Sequence, residues 1–277
     1  MVTIITGWSP DGWTRYAQRF MASVKENWRD KNVKWIAYVE EERPELDWVE
    51  QINIFQLTDL QQFLDAYKND YYATGAVQKP GFVWKAKLAN AGYNFRYDAV
   101  KFARIPFYVR HAAQKMGHGT LVWHDADCII FKKVPDGFVE SLFPKKACCV
   151  YLGRVGGYHS ECGFVGFKLP EAKRLTEDWA KMYQNDLVFT LREWHNSFVF
   201  DHVRQILEKT GMNCYNMTPK GKRHCWVGSP LGGYIDHLKG DKRKDKGYSP
   251  ERHTPEKPRK SEIIRPNPTL RIGDRNK

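Results

Sequence analysis

Short β-branched runs alternate with amphipathic helical stripes through most of this sequence, and few folds accept that order. Val2–Thr6 is a buried-strand pattern closed by Gly7. Ala17, Phe20, Met21, Val24 and Trp28 then recur at helical spacing, which predicts a helix over 14–28. Val33–Glu40 reads as a second strand and Ile52–Leu57 as a third. Thr58 with Gln61 fits a capping box, and Leu60, Phe63, Leu64 and Tyr67 supply the stripe of the helix that follows. Asp98 predicts the cap of a helix reaching Lys115 and bent at Pro106. Leu121–Trp123 is a buried strand, and Cys128–Phe131 another extended piece. Pro170 opens a helix carrying Ala172, Leu175, Trp179, Met182 and Tyr183, and Phe198, Val199, His202, Val203, Ile206 and Leu207 mark a further one. The order implies an α/β fold with a mostly parallel sheet flanked by helices. Ligands in such sheets bind at the carboxyl ends of the strands.

Composition supports a folded chain, and the length allows one large domain or two small ones. Of 277 residues, 42% are apolar and 14% aromatic, which excludes wholesale disorder. No apolar run approaches the ~18 residues of a membrane span, and the start lacks a secretory pattern, so a cytoplasmic protein without membrane insertion is expected. The six cysteines form no Cys-x-x-Cys pair, which disfavours a zinc ribbon and fits reduced thiols. The net charge is +12, and residues 239–277 hold 13 Lys and Arg against 6 Asp and Glu. The reading is a body over 1–246 and an extended, basic, Pro-rich tail over 247–277. Such an excess suits a polyanion or merely keeps a tail soluble.

The chemistry concentrates in Thr120-Leu-Val-Trp-His-Asp-Ala-Asp-Cys-Ile-Ile-Phe131. Asp125 and Asp127 lie two apart after an apolar strand, so in extended chain both face one way. Two like charges held close need protons or a cation between them, and a divalent metal such as Mn or Mg serves. Solvated acids in a capped turn are the alternative. A second stretch, Gly233-Tyr-Ile-Asp-His-Leu-Lys-Gly-Asp-Lys-Arg-Lys244, sets His237 three residues before Gly240 with bases following. Imidazole is a ligand for a transition metal such as Mn. Gly240 lets backbone approach a phosphate, and Lys242 or Arg243 can neutralise one. Together the pieces suggest chemistry on a diphosphate.

These motifs resemble GT-A-fold glycosyltransferases, Rossmann-like enzymes using nucleotide-sugar donors. His124-Asp-Ala-Asp-Cys128 resembles their DxD element, Lys101-Phe-Ala-Arg-Ile105 the helix preceding it, and His237-Leu-Lys-Gly240 their His-x-x-Gly-x-x-Lys segment. Glu161-Cys-Gly-Phe-Val-Gly-Phe167 stands in the place of their Asn-x-Gly segment. With His159-Ser-Glu-Cys-Gly-Phe and Glu193-Trp-His-Asn-Ser-Phe-Val-Phe-Asp201, the set resembles phage-type glycosyltransferases related to the TET-associated enzymes proposed to glycosylate modified DNA bases. The resemblance covers about residues 2–246. It implies a metal on Asp125, Asp127 and His237. It places Thr6, Gly7 and Tyr38 near the nucleotide, and Lys101, Arg104, Asp125, Gly240, Lys242 and Arg243 around donor phosphates or sugar, with UDP the default nucleotide. Glu161, Cys162, Gly163, Trp194, His195, Asn196 and Asp201 surround the acceptor, with Glu161, His195 and Asp201 the proton-transfer candidates. Asn196 departs from the pattern: an aspartate is expected after Trp-His, and an amide is no general base. Retention of anomeric configuration is the implied outcome.

The expected activity is sugar transfer to a hydroxyl, with 5-hydroxymethylpyrimidine in double-stranded phage DNA as acceptor. A glycan acceptor, a metal-dependent phosphoesterase and a nucleic-acid-binding module are the competing readings. Glu161 can equally form an ion pair, His195 be structural and Asp201 be an exposed helical acid.

Overall fold

The computed structural model describes residues 1–76, 92–156, 158–218 and 224–252, with the side chains of 241–243 outside the description. The basic tail from 253 onward lies outside it too. The strands are β1 (Val2–Trp8), β2 (Val33–Val39), β3 (Glu50–Asn53), β4 (Gly119–His124), β5 (Cys128–Ile130), β6 (Cys149–Leu152), β7 (Glu161–Leu169), β8 (Cys214–Asn216) and β9 (Ile235–His237). Seven form one sheet in the order β3-β2-β1-β4-β7-β6-β8, and β5 pairs with β9 in a small second sheet. β1 is parallel to β2 and β4, β2 to β3, and β6 to β8. Only β7 is reversed, antiparallel to both β4 and β6. The α/β, mostly parallel architecture read from the sequence is the one the chain adopts.

Alternate side chains sort into two cores, one on each face of the sheet. Ile5, Ile36, Leu121, Val165 and Phe167 pack on one side with residues of helices Thr58–Tyr67, Arg104–Met116, Lys173–Gln184 and Asn196–Lys209. Ile4, Ala37, Val122, Val150 and Phe164 pack on the other with helix Gln18–Asn27 and the small sheet. Phe20, Met21 and Val24 of that helix are almost fully buried. At ~1.5–3 kcal/mol per large apolar side chain, burial outweighs the small differences in helix propensity.

The local differences from expectation have physical reasons. The first helical region starts earlier, at Pro10, because Ser9 accepts a hydrogen bond from the Gly12 amide, and it contains a π-helical turn at Trp13–Ala17. The third strand stops at Asn53, whose side chain accepts from the Phe55 amide and turns the chain into a 3-10 helix over Ile54–Gln56. The capping box does not form: Thr58 is already helical, and the Gln61 side-chain Nε2–H donates to the Ile54 carbonyl instead. Asp98 does cap a helix through the Lys101 amide, but the break falls at Ala103 rather than Pro106. Pro106 sits in the first turn of Arg104–Met116, where the missing N–H costs nothing. The next helix begins at Lys173, after a turn from Pro170. No helix among the described residues is long and apolar enough to cross a membrane.

The folded chain also runs past residue 246. Ser249 is fully buried, its amide donating to Asp236 and its hydroxyl to the His237 carbonyl. Arg252 donates to the carbonyls of Gly232 and Ile235 and covers the Phe131 ring. Residues 247–252 therefore strap β9 to the body.

Candidate active site

Strand polarity assembles the site. β4 ends at His124, and the reversed β7 begins at Glu161 on the same sheet edge, joined there by the Asp125 amide donating to the Gly163 carbonyl. β5 pairs with β9 and brings His237 opposite Cys128. His237 Nε2 thereby lies 3.0 Å from Asp127 Oδ1 and 3.8 Å from Asp125 Oδ2. Each of the two aspartates thus faces the His237 ring.

Two fixed contacts aim the acidic loop. The Trp123 indole N–H donates to Asp125 Oδ1 at 2.8 Å. His124 is completely buried, stacked on Phe20, and its Nδ1–H donates to the Asp125 carbonyl. Burial pushes His124 down to about 4, so this ring is neutral and structural. Low-polarity surroundings, then repulsion from Asp127, raise Asp125 to about 6. Asp127 feels the same desolvation, yet His237 and Lys244 outweigh it and hold its carboxyl below the ordinary range. The Lys244 ammonium reaches Asp127 Oδ2 at 3.2 Å and covers the Tyr16 ring. Burial and the two aspartates raise Tyr16 to about 12.

The side chains around His237 offer candidate ligands for a divalent cation. The 3.0 Å spacing matches the about 3 Å that separates adjacent ligands around an ion bound at ~2.1 Å, and the 3.8 Å spacing exceeds it. Asp125, Glu161 and His237 offer ligand atoms within 4.8 Å of one another, as do Asp127, Cys128 and His237. Gly163 is a glycine because of this crowding: an added Cβ would meet Asp125 Oδ2 at 3.0 Å, Trp226 at 3.1 Å and the His237 ring at 3.3 Å. Gly163→Ala should keep the fold, since only side-chain ends are displaced, but weaken Mn2+ binding about tenfold, as titration calorimetry would show.

The other predicted residues fall into distinct places. Glu161 is paired with Arg154 and, at 3.1 Å, with Lys239, so it is not the isolated carboxylate in apolar surroundings that its neighbours suggest. Asp201 is neither exposed nor free: it accepts from the amide and hydroxyl of Ser160 and from Arg204. Its geometry is that of an anchor for the entry to β7. Trp194 is buried in the core, edge-on to Tyr97, and offers no open stacking face. Cys162 is buried in the same core, which pushes its thiol up.

Tyr38 is also buried, stacked on Tyr108 at 4.5 Å with its hydroxyl against His111. Thr6 is fully buried, and Gly7 packs against the Tyr38 carbonyl, so these three positions present no side chain to a nucleotide. Arg104 pairs with Glu40 just beyond the end of β2, while Lys101 is exposed. Gly240 has φ +84° and open space around it, reversing the chain between β9 and the helix Asp241–Lys246. Lys242 and Arg243 lie outside the described side chains.

His195 and Asn196 are buried at the start of helix Asn196–Lys209. The His195 ring lies 3.0 Å from Glu193, and burial lowers its basicity. Sequence reasoning left Glu193, His159, Arg154, Lys239 and Lys244 without assigned roles. Glu193 and His159 stood inside quoted motifs, and Lys244 was visible only as one base in a run.

No protein-family model matches the sequence, and no curated protein matches it. Among solved structures, a glycosyltransferase involved in the glycosylation of the major capsid of PBCV-1 aligns over 88% of this chain and 98% of its own, with 13% identity and a TM-score of 0.50. Mouse xyloside xylosyltransferase 1 aligns over 79% and 86%, with 11% identity and a TM-score of 0.47. The fold is shared with a glycosyltransferase. At such identity the likeness concerns architecture.

Proposed function

We propose that this protein is a metal-dependent glycosyltransferase that moves a sugar from a nucleoside-diphosphate sugar to a hydroxyl. The observation that carries the reading is that His237 faces Asp127 at 3.0 Å and Asp125 at 3.8 Å at the strand-end edge of this fold. Asp125, Asp127 and His237 would hold a divalent cation, which would supply positive charge to stabilise a departing diphosphate. The chain contributes the rest. Asp125 is held by Trp123, and His237 is held through the Ser249 bond to its carbonyl. Lys239 and Arg154, gathered by Glu161, add cationic groups beside the ligands. Retention of configuration rests on the resemblance of the His-x-x-Gly segment alone.

The acceptor we favour is a 5-hydroxymethylpyrimidine in DNA, supported by the +12 charge and by Arg96, Lys101 and Arg192 on the surface near His195. Duplex bases would have to be flipped out to react. The test incubates the protein with a panel of nucleotide sugars and hydroxymethylated DNA, with Mn2+ or EDTA, and reads nucleoside diphosphate release and DNA mass. Release that needs Mn2+ and a sugar donor is expected; phosphate-ester cleavage without a donor overturns the reading. Residues 253–277 carry seven Lys and Arg against three Asp and Glu. Deleting them should flatten the salt dependence of DNA binding by about two units in log–log slope, and salt-insensitive binding removes DNA as the acceptor.

A further inference from the structure

Next to the acceptor edge, but apart from the Asp125–Asp127–His237 centre, three further groups converge. His195 Nε2 lies 3.0 Å from Glu193 Oε2, and His159 Nε2 lies 3.6 Å from the same oxygen. All three ligand atoms fall within 4.8 Å of one another. We propose that His159, Glu193 and His195 form a second metal site, selective for zinc.

The donor chemistry carries the choice of ion. Two imidazoles and one carboxylate suit Zn2+, whereas the carboxylate-rich first centre suits Mn2+ or Mg2+. Adjacent ligands of a tetrahedral ion bound at ~2.0–2.1 Å stand about 3.3 Å apart. The two observed spacings to Glu193 Oε2 lie either side of that value, and the His159 spacing exceeds hydrogen-bond length.

The surroundings separate the two oxygens of Glu193. Arg192 and Arg96 approach Oε1, at 3.4 and 3.8 Å, while both imidazoles face Oε2. The guanidiniums therefore orient the carboxylate from behind and leave the ligating oxygen to the imidazoles. On the far side of His159, Asp201 Oδ2 lies 3.9 Å from Nδ1, beyond hydrogen-bond length but on the side where a carboxylate partner of a zinc-binding histidine stands. The His195 side chain is 7% exposed and that of His159 26%, so one side of the site stays open for a fourth ligand.

The consequence is a clip. Zinc here ties the segment entering β7, two residues before Glu161, to the segment entering helix Asn196–Lys209. The proposal does not depend on sugar transfer, because its readout is metal content and spectra. Full-length protein is loaded with ZnCl2, desalted and analysed by elemental mass spectrometry. Wild type and Asp127→Asn should each retain about one zinc per chain, and His159→Asn should retain less than a tenth of that, with its circular dichroism unchanged.

Zinc retained by His159→Asn, or lost from Asp127→Asn alone, overturns the assignment. Should His159→Asn misfold, Co2+ added to wild type decides. Intense visible absorption of a tetrahedral site, bleached by one equivalent of Zn2+ and not by excess Mg2+, is expected; weak octahedral absorption or none overturns it.

Discussion

Asp127→Asn should reduce nucleotide-sugar turnover at least a thousandfold while leaving the protein folded. Asp127 is the residue on which His237 and Lys244 both converge, and it is held ionised against the desolvation of its site. An amide keeps the shape and one hydrogen bond but loses the charge that a divalent ion requires. Loss of several kcal/mol of charge stabilisation, at 1.36 kcal/mol per decade, corresponds to about three orders of magnitude. Steady-state release of nucleoside diphosphate measures it, with thermal melting as the folding control. Turnover within tenfold of wild type would remove the cation centre from the mechanism.

The second large effect concerns stability. Asp201→Ala deletes the acceptor of the Ser160 amide and hydroxyl and strands Arg204, whose side chain is 7% exposed and which, among the described residues, keeps Glu208 as its acidic partner. Removing one member of a buried pair costs ~3–5 kcal/mol, because the remaining charge stays desolvated. In a chain of this size that lowers the melting temperature by about 10 °C. Differential scanning calorimetry reads the shift. If Asp201 is an anchor, the folded fraction at low temperature keeps turnover within a few fold of wild type. An intact melting curve with abolished turnover would make it a proton-transfer residue instead.

Much of the fold was legible because strand and helix periodicities differ. β1, β2 and β4 carried β-branched or apolar runs, and the helices that flank them carried stripes. β7 was not recognised as a strand. Its Glu-Cys-Gly-Phe-Val-Gly-Phe order has no alternation, since it is buried on both faces, and Gly163 and Gly166 resemble turn residues. β8 and β9 are three residues each, too short for a period.

Within the candidate site, Asp125, Asp127 and His237 were found because metal ligands have few residue types and a strand end to sit on. That the side chains of Tyr38, Thr6 and Trp194 are buried was not legible, since position along the chain does not fix which way a side chain points. Tyr38 turns inward to stack on Tyr108, a contact 70 residues distant that no local pattern encodes. The ion pairs of Glu161 were equally hidden, because Arg154 and Lys239 approach from separate loops.

The lone reversed strand has a wider consequence. Running β7 against its neighbours lets a segment begin where β4 finishes, so both contribute to a single rim. Recognition can thus be rewritten by exchanging loops along one border, while the hydrophobic layers beneath never register the change.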